Sequence, residues 1–458
     1  MRNAESLGAP PGFDWSSEQV AETLGTADPG GSAFSGVSTD TRSLKGGELF
    51  VALRGERFDA HDFLAEARAR GAVGAVVHAG TPAVAGLRLF AVADTRTALG
   101  LLARARRRAL PASAPVVAIT GSSGKTSTKE MVRAALAARY RVHATTGNLN
   151  NLVGVPLTIL TAPGDAEALV IEAGASLPGE IARLRAVIEP TVGVVTNVSH
   201  AHVEGFGSLE GVLREKLDLL DRVPVAVVGP EPPTLAEGAR RCAGTVIVAG
   251  RVPSAGVRPD AADLDEQGCV RLTWQGSSVT VPAFGFHQID NAMVALAAAR
   301  AAGVEPGAAV PALAGVSLPG GRMAVREVGG LLVIDDTYNA NPASLRAALE
   351  LARWLATRRR RPLAVVVGSM LELGAESDRL HAAAAAEILA ASPALVAAVG
   401  EFVPALAAAA PGTGVPVVTA ADADALGAAL RGALRGNEVV LLKASRGVAL
   451  ERVLRHLN

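Results

Sequence analysis

The sequence predicts an α/β protein of three domains built on parallel sheets, with a phosphate-binding loop in the middle domain. Three observations lead there. Buried apolar runs alternate with helical segments along most of the chain. A strand, a glycine-rich turn and a helix start follow one another from Pro115 to Met131. The 458 residues exceed what one ordinary core organises, so about three domains of roughly 150 residues are expected. The expected boundaries are 1–112, 113–319 and 320–458.

The first domain alternates strands and helices without a phosphate loop. Ser38-Thr39-Asp40-Thr41-Arg42 reads as a polar loop and Gly46 to Leu53 as a turn and a buried strand. The polar run Arg57 to Phe63 leads into a helix rich in Ala and Arg. A polar cluster so close to a strand could hold a nucleotide-like ligand by Ser, Thr and Asp hydroxyl and carboxylate contacts, or serve only as turn chemistry. Leu101 to Ala112 closes the domain, and Pro111 and Pro115 mark a linker.

In the middle domain, Val116-Val117-Ala118-Ile119 is a buried strand that ends in Thr120-Gly121-Ser122-Ser123-Gly124-Lys125-Thr126-Ser127. Loop and helix start aim backbone N–H groups at one point, as a polyphosphate requires. Lys125 would reach the β- and γ-phosphates, and the Thr126 hydroxyl would sit on Mg²⁺. The loop is two residues shorter at its glycine end than the general pattern, which points to a narrower group than ATPases at large.

Thr145 to Asn151 follows as a loop crowded with amides. Thr146, Asn148 and Asn151 suit a polar substrate with both donor and acceptor edges, although a plain Asn-rich turn reads the same way. The strand Ala168 to Ile171 ends at Glu172, and the strand Val192 to Thr196 runs into Asn197 to Phe206, with Arg214-Glu215-Lys216 on the next helix. Ligands gather beyond the carboxyl ends of strands in open α/β sheets. Glu172 and His202 could therefore hold a divalent cation beside the phosphates, while a structural role remains open for His202. Residues 224 to 283 read as a peripheral excursion of short strands without chemistry. Asn291, near the start of an Ala-rich helix, could pair with an adenine edge or act as a cap.

The third domain begins at Gly320. Its strand Leu331 to Ile334 ends in Asp335-Asp336-Thr337-Tyr338-Asn339-Ala340-Asn341-Pro342. Four more strands, at 363–367, 395–399, 415–418 and 439–442, complete a small doubly wound unit.

Composition bounds the function. A formal net charge of zero gives no electrostatic case for nucleic acid or an anionic membrane. Cys242 and Cys269 lack metal-ligand spacing and read as core thiols of a reducing compartment. The stretch MRNAESLGAPPGFDW has no apolar segment of the signal-peptide kind, and Ala382 to Gly400 is interrupted by Glu387 and Pro393, so a cytoplasmic location is expected. Only five lysines stand against 39 arginines. Where a solvated cation suffices this chain uses Arg, so Lys45, Lys125, Lys129, Lys216 and Lys443 are candidates for chemistry that a guanidinium cannot do.

TGSSGKTSTKE, TTGNLNNLVGVPLT, EAGAS, NVSHAHVEGFGSLEGVLREK, GRM, VIDDTYNANP, GSMLELG and LKASRG occur in that order. Together they resemble the Mur ligases of bacterial cell-wall synthesis, over essentially all of the chain from about Ser38. The NANP and HVEGFGS wording is most similar to the members that take UDP-N-acetylmuramoyl-tripeptide and D-alanyl-D-alanine. The resemblance implies an N-terminal α/β domain for the UDP-sugar, a central ATPase, and a C-terminal Rossmann-like domain that closes on the nucleotide. It also implies amide formation through an acyl phosphate. It gives Lys125 and Thr126 the phosphates and one Mg²⁺, and Glu172 and His202 a second metal region. Lys216 matches a lysine that relatives carry as a carbamate. Asn291, Arg322 and Asp336 match adenine, phosphate and ribose contacts, and Ser38, Asp40, Thr146, Asn148, Asn151, Asn339 and Asn341 the substrate contacts. A monomer without nucleic-acid or membrane partners is expected.

The chain departs from the family pattern at Ser369, where Asp is usual, at Gln288 (Asn) and at Ala444 (Gly). Ser199-His200 replaces a smaller pair. A ligase for the third amino acid would carry a DNPR-type sequence, and none occurs. A nucleotide-binding scaffold that forms no bond would have no need of Lys216.

Overall fold

The computed structural model describes residues 15–31, 33–55 and 58–457. Arg57 of the polar run and the first fourteen residues lie outside them. The described residues pack into two compact units: one up to Ile119 with Arg139–Ala175 and Gly179–Gly193, the other Thr120–Ala138, Ser176–Pro178 and Val194 onward.

In the first unit, β1 (Val37–Ser38), β2 (Leu49–Val51), β3 (Gly74–His78) and β4 (Arg88–Val92) form a parallel sheet in that order. Alternation along β2 explains its burial on both faces. Leu49 and Val51 pack with Phe34, Val76, Phe90 and the helix residues Val20, Leu99 and Leu102. Phe50, between them, points the other way, to Ala75, Val77, Leu64 and Ala67. Asp94 caps the helix Thr95–Arg108 through the amides of Arg96 and Thr97. The last turns of this helix are tied down rather than loose. Arg104 and Arg108 pair with Glu189 at 2.7 and 2.6 Å, and buried Arg106 donates to the Ala162 carbonyl. In the same unit β5 (Val116–Thr120) pairs in parallel with β7 (Ala168–Glu172), setting Ile119 opposite Glu172, and β6 (Val142–Ala144) pairs with β7.

β8 (Val192–Val195) leads into the second unit, where β9 (Val225–Val228) and β10 (Thr245–Val248) pair in parallel. The stretch 224–283 is therefore not one peripheral excursion. β9 is a buried sheet strand whose four-residue run, VAVV, is too short for periodicity to separate it from a loop strand. Only β11 (Ala261–Leu264), β12 (Cys269–Trp274) and β13 (Ser277–Phe284) make an antiparallel meander. The last sheet runs β14-β15-β19-β16-β17-β18, from Ala324–Val328, Leu331–Asp336, Leu363–Val367, Leu395–Ala398, Val417–Thr419 and Val439–Lys443 in chain order. Only β14 is antiparallel. Strand order reverses around β19, so the carboxyl ends of β15, β19 and β16 open one crevice.

Cys242 and Cys269 are free thiols, and burial pushes Cys269 up to about 11, which makes it inert. Among the described residues no helix is long and apolar enough to cross a membrane.

Candidate active site

The phosphate loop is fixed from behind. At Gly121 (φ +146°) a Cβ would lie 2.0 Å from Thr196 Oγ1, so only glycine lets the loop pass this close to the end of β8. Ser122 N–H donates to the Asn197 carbonyl at 3.0 Å and Ser123 N–H to Asn197 Oδ1 at 3.1 Å. Ser122 Oγ bonds both the carbonyl and the amide of Ser199, and Thr196 Oγ1 donates to Ser123 O at 2.6 Å. Held in this way, the loop turns into the helix Lys125–Ala137, whose first-turn amides and dipole favour an anion. Lys125 folds back, its Nζ 2.7 Å from the Gly121 carbonyl, and Thr126 and Ser127 are buried beside it.

Around this loop the second unit gathers several expected residues. Asn291 lies in the second turn of the helix His287–Ala301, not at its cap, with its amide against Gly124. It donates to Gln288 Oε1 at 2.9 Å, and Gln288 Nε2 reaches Ser127 Oγ at 3.5 Å. The amide at position 288 thus links Asn291 to the phosphate-loop helix. Asn341 caps the helix Pro342–Arg359 through Ser344 N, and its Nδ2 donates to Ser123 Oγ at 2.9 Å. His202 adopts a left-handed backbone (φ 57°) just before the helix Val203–Phe206, and its Nδ1 stands 2.5 Å from Glu372 Oε2. His202, not His200, is the imidazole that meets this carboxylate. Lys216 is 1% exposed on the helix Leu209–Leu217, its Nζ 5.3 Å from the centre of the Phe206 ring.

At the crevice of the last sheet, Asp336 accepts from Met323 N–H at 3.1 Å and pairs with Lys443 at 2.7 Å. Each oxygen keeps a further lone pair for a hydroxyl. Lys443, 1% exposed, also donates to the Asn339 carbonyl at 2.7 Å and so shapes the loop that carries Asn339 and Asn341. Arg322 lies 3.8 Å over the Tyr338 ring, and its Nε is buried with no hydrogen-bond partner. An orphan guanidinium N–H in a crevice is suited to an anion. Ser369 Oγ accepts from Glu401 N–H, and Ala444 is buried in the core.

The remaining expected residues belong to the first unit. Glu172, 3% exposed, accepts from Asn150 Nδ2 at 2.9 Å, and its own N–H donates to Thr145 Oγ1. Thr146 and Asn148 are exposed, and Asn151 Oδ1 accepts from the amides of Val153 and Gly154. Ser38 and Asp40 are engaged in local turn chemistry. Ser38 Oγ bonds the Asp40 backbone, and the hydrogen-bonded Arg42 guanidinium holds the Asp40 carboxyl down to about 2.

Sequence reasoning missed Asn150 and Glu372 as site residues. Lys443 carries a signal in the scarcity of lysine, whereas Glu372 lies in GSMLELG, a motif that by itself indicates no role for its carboxylate. Among the described residues no set of three or more His, Cys, Asp or Glu side chains converges as metal ligands.

Comparison with known proteins agrees with this organisation. The Mur ligase family catalytic domain matches residues 33–107, the Mur ligase middle domain 119–299, and the Mur ligase glutamate ligase domain 321–446. The UDP-N-acetylmuramoyl-tripeptide--D-alanyl-D-alanine ligase of Escherichia coli is 37% identical over 440 residues, 92% of this chain and 93% of that one. The enzyme of the same name from Bacillus subtilis is 35% identical over 370 residues, covering 80% and 79%. Among solved structures, MurF from Acinetobacter baumannii superposes with a TM-score of 0.87 at 30% identity, covering 98% of this chain and 99% of that one. MurF from Thermotoga maritima in complex with ADP gives 0.79 at 30% identity, covering 92% and 96%.

Proposed function

The chain belongs to the Mur ligase family, and from that premise we propose that it is an ATP-dependent amide ligase that adds D-alanyl-D-alanine to UDP-N-acetylmuramoyl-tripeptide in cytoplasmic peptidoglycan precursor synthesis. The observation that carries this reading is the braced phosphate loop, with Lys125 at a helix N terminus and the Asn341 amide on Ser123.

The terminal carboxylate of the tripeptide attacks the γ-phosphorus of ATP, giving an acyl phosphate and ADP. The neutral amine of the dipeptide then attacks the acyl carbon. The tetrahedral intermediate loses a proton and expels phosphate, leaving the amide. Both steps crowd negative charge, so positioned donors contribute most of the catalysis. Lys125, the first-turn amides of its helix and Arg322 would offset that charge. Asn291 would take the adenine edge and Asp336 the ribose. The exposed Thr146 and Asn148 are candidates for the peptide, together with Asn151 and Asn339, and Ser38 and Asp40 for the UDP-sugar.

The Thr126 hydroxyl and the Glu172 carboxylate are each oxygen donors of the kind Mg²⁺ takes, and each is proposed as a ligand on that chemistry alone. When bound, the ion would neutralise phosphate charge. Lys216 as an ammonium does not fit a metal site. Its burial beside Phe206 in a lysine-poor chain is consistent with a second state, the carbamate formed from its neutral amine and CO₂ with loss of a proton. His202 would complete that region. The protein is read as a monomer.

The deciding experiment is phosphate release from ATP with purified UDP-muramoyl-tripeptides, with and without D-alanyl-D-alanine. Release that requires the dipeptide is expected. Release that ignores it, or that prefers single amino acids, refutes the assignment.

A further inference from the structure

The motif Gly368-Ser369-Met370-Leu371-Glu372-Leu373-Gly374 takes no part in the chemistry described above. It is nevertheless held by hydrogen bonds at several points. Met370 N–H donates to Nε2 of buried His381 at 2.9 Å, and Leu371 N–H donates to Ser445 Oγ at 2.9 Å. His381 is itself fixed by donating from Nδ1 to the Ser377 carbonyl at 2.9 Å. The far side of the turn meets the segment that follows β8. Glu204 N–H donates to the Glu372 carbonyl at 3.2 Å. Gly374 (φ +54°) lies so close that a Cβ there would be 3.2 Å from Glu204 Cα. The Glu372 side chain reaches His202 Nδ1 at 2.5 Å, a short contact but off the line of an ideal hydrogen bond.

Two further features separate this contact from an ordinary surface pair. Both partners are non-glycine residues in the left-handed region, Glu372 at φ 63° and His202 at φ 57°. Such residues cost stability and persist where surrounding contacts require them. The neighbouring His202 imidazole, with Lys125 further off, also holds the Glu372 carboxyl below the usual carboxylate range. The carboxylate therefore faces the imidazole and senses the charge of the phosphate-loop lysine.

Resting on the ligase reading above, we propose that Glu372 is a positioning residue for His202. Its carboxylate engages Nδ1, fixes the tautomer and the ring orientation, and so aims Nε2 away from the turn. Because Glu372 comes from the turn after β16 and His202 from the segment after β8, the imidazole is set correctly only when that turn is docked on Val203 and Glu204. Docking and readiness of the site are then one event. Partners that orient a catalytic or ligating histidine in this way are commonly worth 10-fold to 100-fold in activity.

The test is a double-mutant cycle in the full chain with Glu372→Gln, His202→Gln and both, each checked for an unchanged thermal melt. Glu372 is half exposed (52%), so its replacement is not expected to disturb folding. For Glu372→Gln, kcat is expected to fall at least about 10-fold with KM for ATP within about 2-fold. The double variant is expected to be no slower than His202→Gln alone, because the second change removes an interaction already lost. Gly374→Ala, which crowds Glu204 and strains a positive-φ position while leaving the carboxylate in place, is expected to loosen the docking and to reproduce the kcat loss. Additive losses overturn the proposal. So does a Glu372→Gln enzyme with wild-type kcat and a lower KM for ATP, since Glu372 would then only occupy the phosphate site in competition with nucleotide. Failure of the wild-type chain to use the dipeptide refutes the ligase assignment instead, and the cycle, read on ATP turnover, still reports the coupling.

Discussion

Asn341 donates its side-chain amide to Ser123 Oγ at 2.9 Å across 218 positions of sequence, while its carbonyl oxygen caps the helix Pro342–Arg359. One side chain thus does two jobs that substitution can separate. Asn341→Ser keeps a capping oxygen and removes the bond to Ser123. It is expected to leave the melting temperature unchanged and to raise KM for ATP severalfold. Asn341→Ala removes both and is expected to cost about 1 kcal/mol of stability as well. Thermal melts and ATP saturation curves check the pair.

Lys216→Ala is expected to abolish turnover, and added bicarbonate is not expected to restore it, because no amine remains to carry a carbamate. Lys216→Arg is expected to fold and to be equally inactive, since a guanidinium cannot become a carboxylate. Phosphate release with wild-type activity in either variant would count against the role given to this buried lysine.

Lys443→Met would leave the largely buried Asp336 carboxylate without its cation. Breaking one side of such a pair is expected to destabilise by about 3 kcal/mol, visible as a lower urea midpoint. The double change Lys443→Met with Asp336→Asn is expected to recover part of that loss, as the uncompensated charge is gone. Nucleotide binding is expected to weaken in both variants because the loop carrying Asn339 and Asn341 rests on Lys443.

Burial pushes His287 down to about 4 from its ordinary 6.5, and its Nδ1 is buried without a hydrogen-bond partner. The unfolded imidazole takes up a proton as pH falls below 6.5, whereas the folded one stays neutral until about 4. Stability present above pH 6.5 is therefore lost as pH falls through this window, by about 1 to 3 kcal/mol, since His287 as a residue is only half-buried. His287→Gln is expected to flatten the curve of melting temperature against pH. Parallel curves for the two proteins would remove His287 from the account.

Lys216 and Lys443 are legible in the chain itself, and the reason is local. They stand out because Arg serves elsewhere, and Lys443 also ends a buried run, Val439 to Leu442. By contrast, Glu372 lies in a stretch of ordinary turn composition, and nothing in its neighbours in the chain indicates an imidazole 170 residues earlier. The strand β9 escapes a local reading for a related reason. Four valine-rich residues carry too few periods to reveal which sheet they join.

The sequence by itself determined the α/β class, the alternation of strands and helices, the phosphate loop and the order of the motifs that place the chain in its family. Each of these is written in spacings of a few residues, which the periods of helix and strand and the sterics of glycine fix locally. The tertiary structure alone decided which strand end faces which. It set the Asn341 amide on Ser123, the Lys443 ammonium between Asp336 and Asn339, and the Glu372 carboxylate on His202. Such contacts join residues from about a hundred to more than two hundred positions apart. They arise from how buried sheets and their connections pack, information that no local pattern in the chain contains.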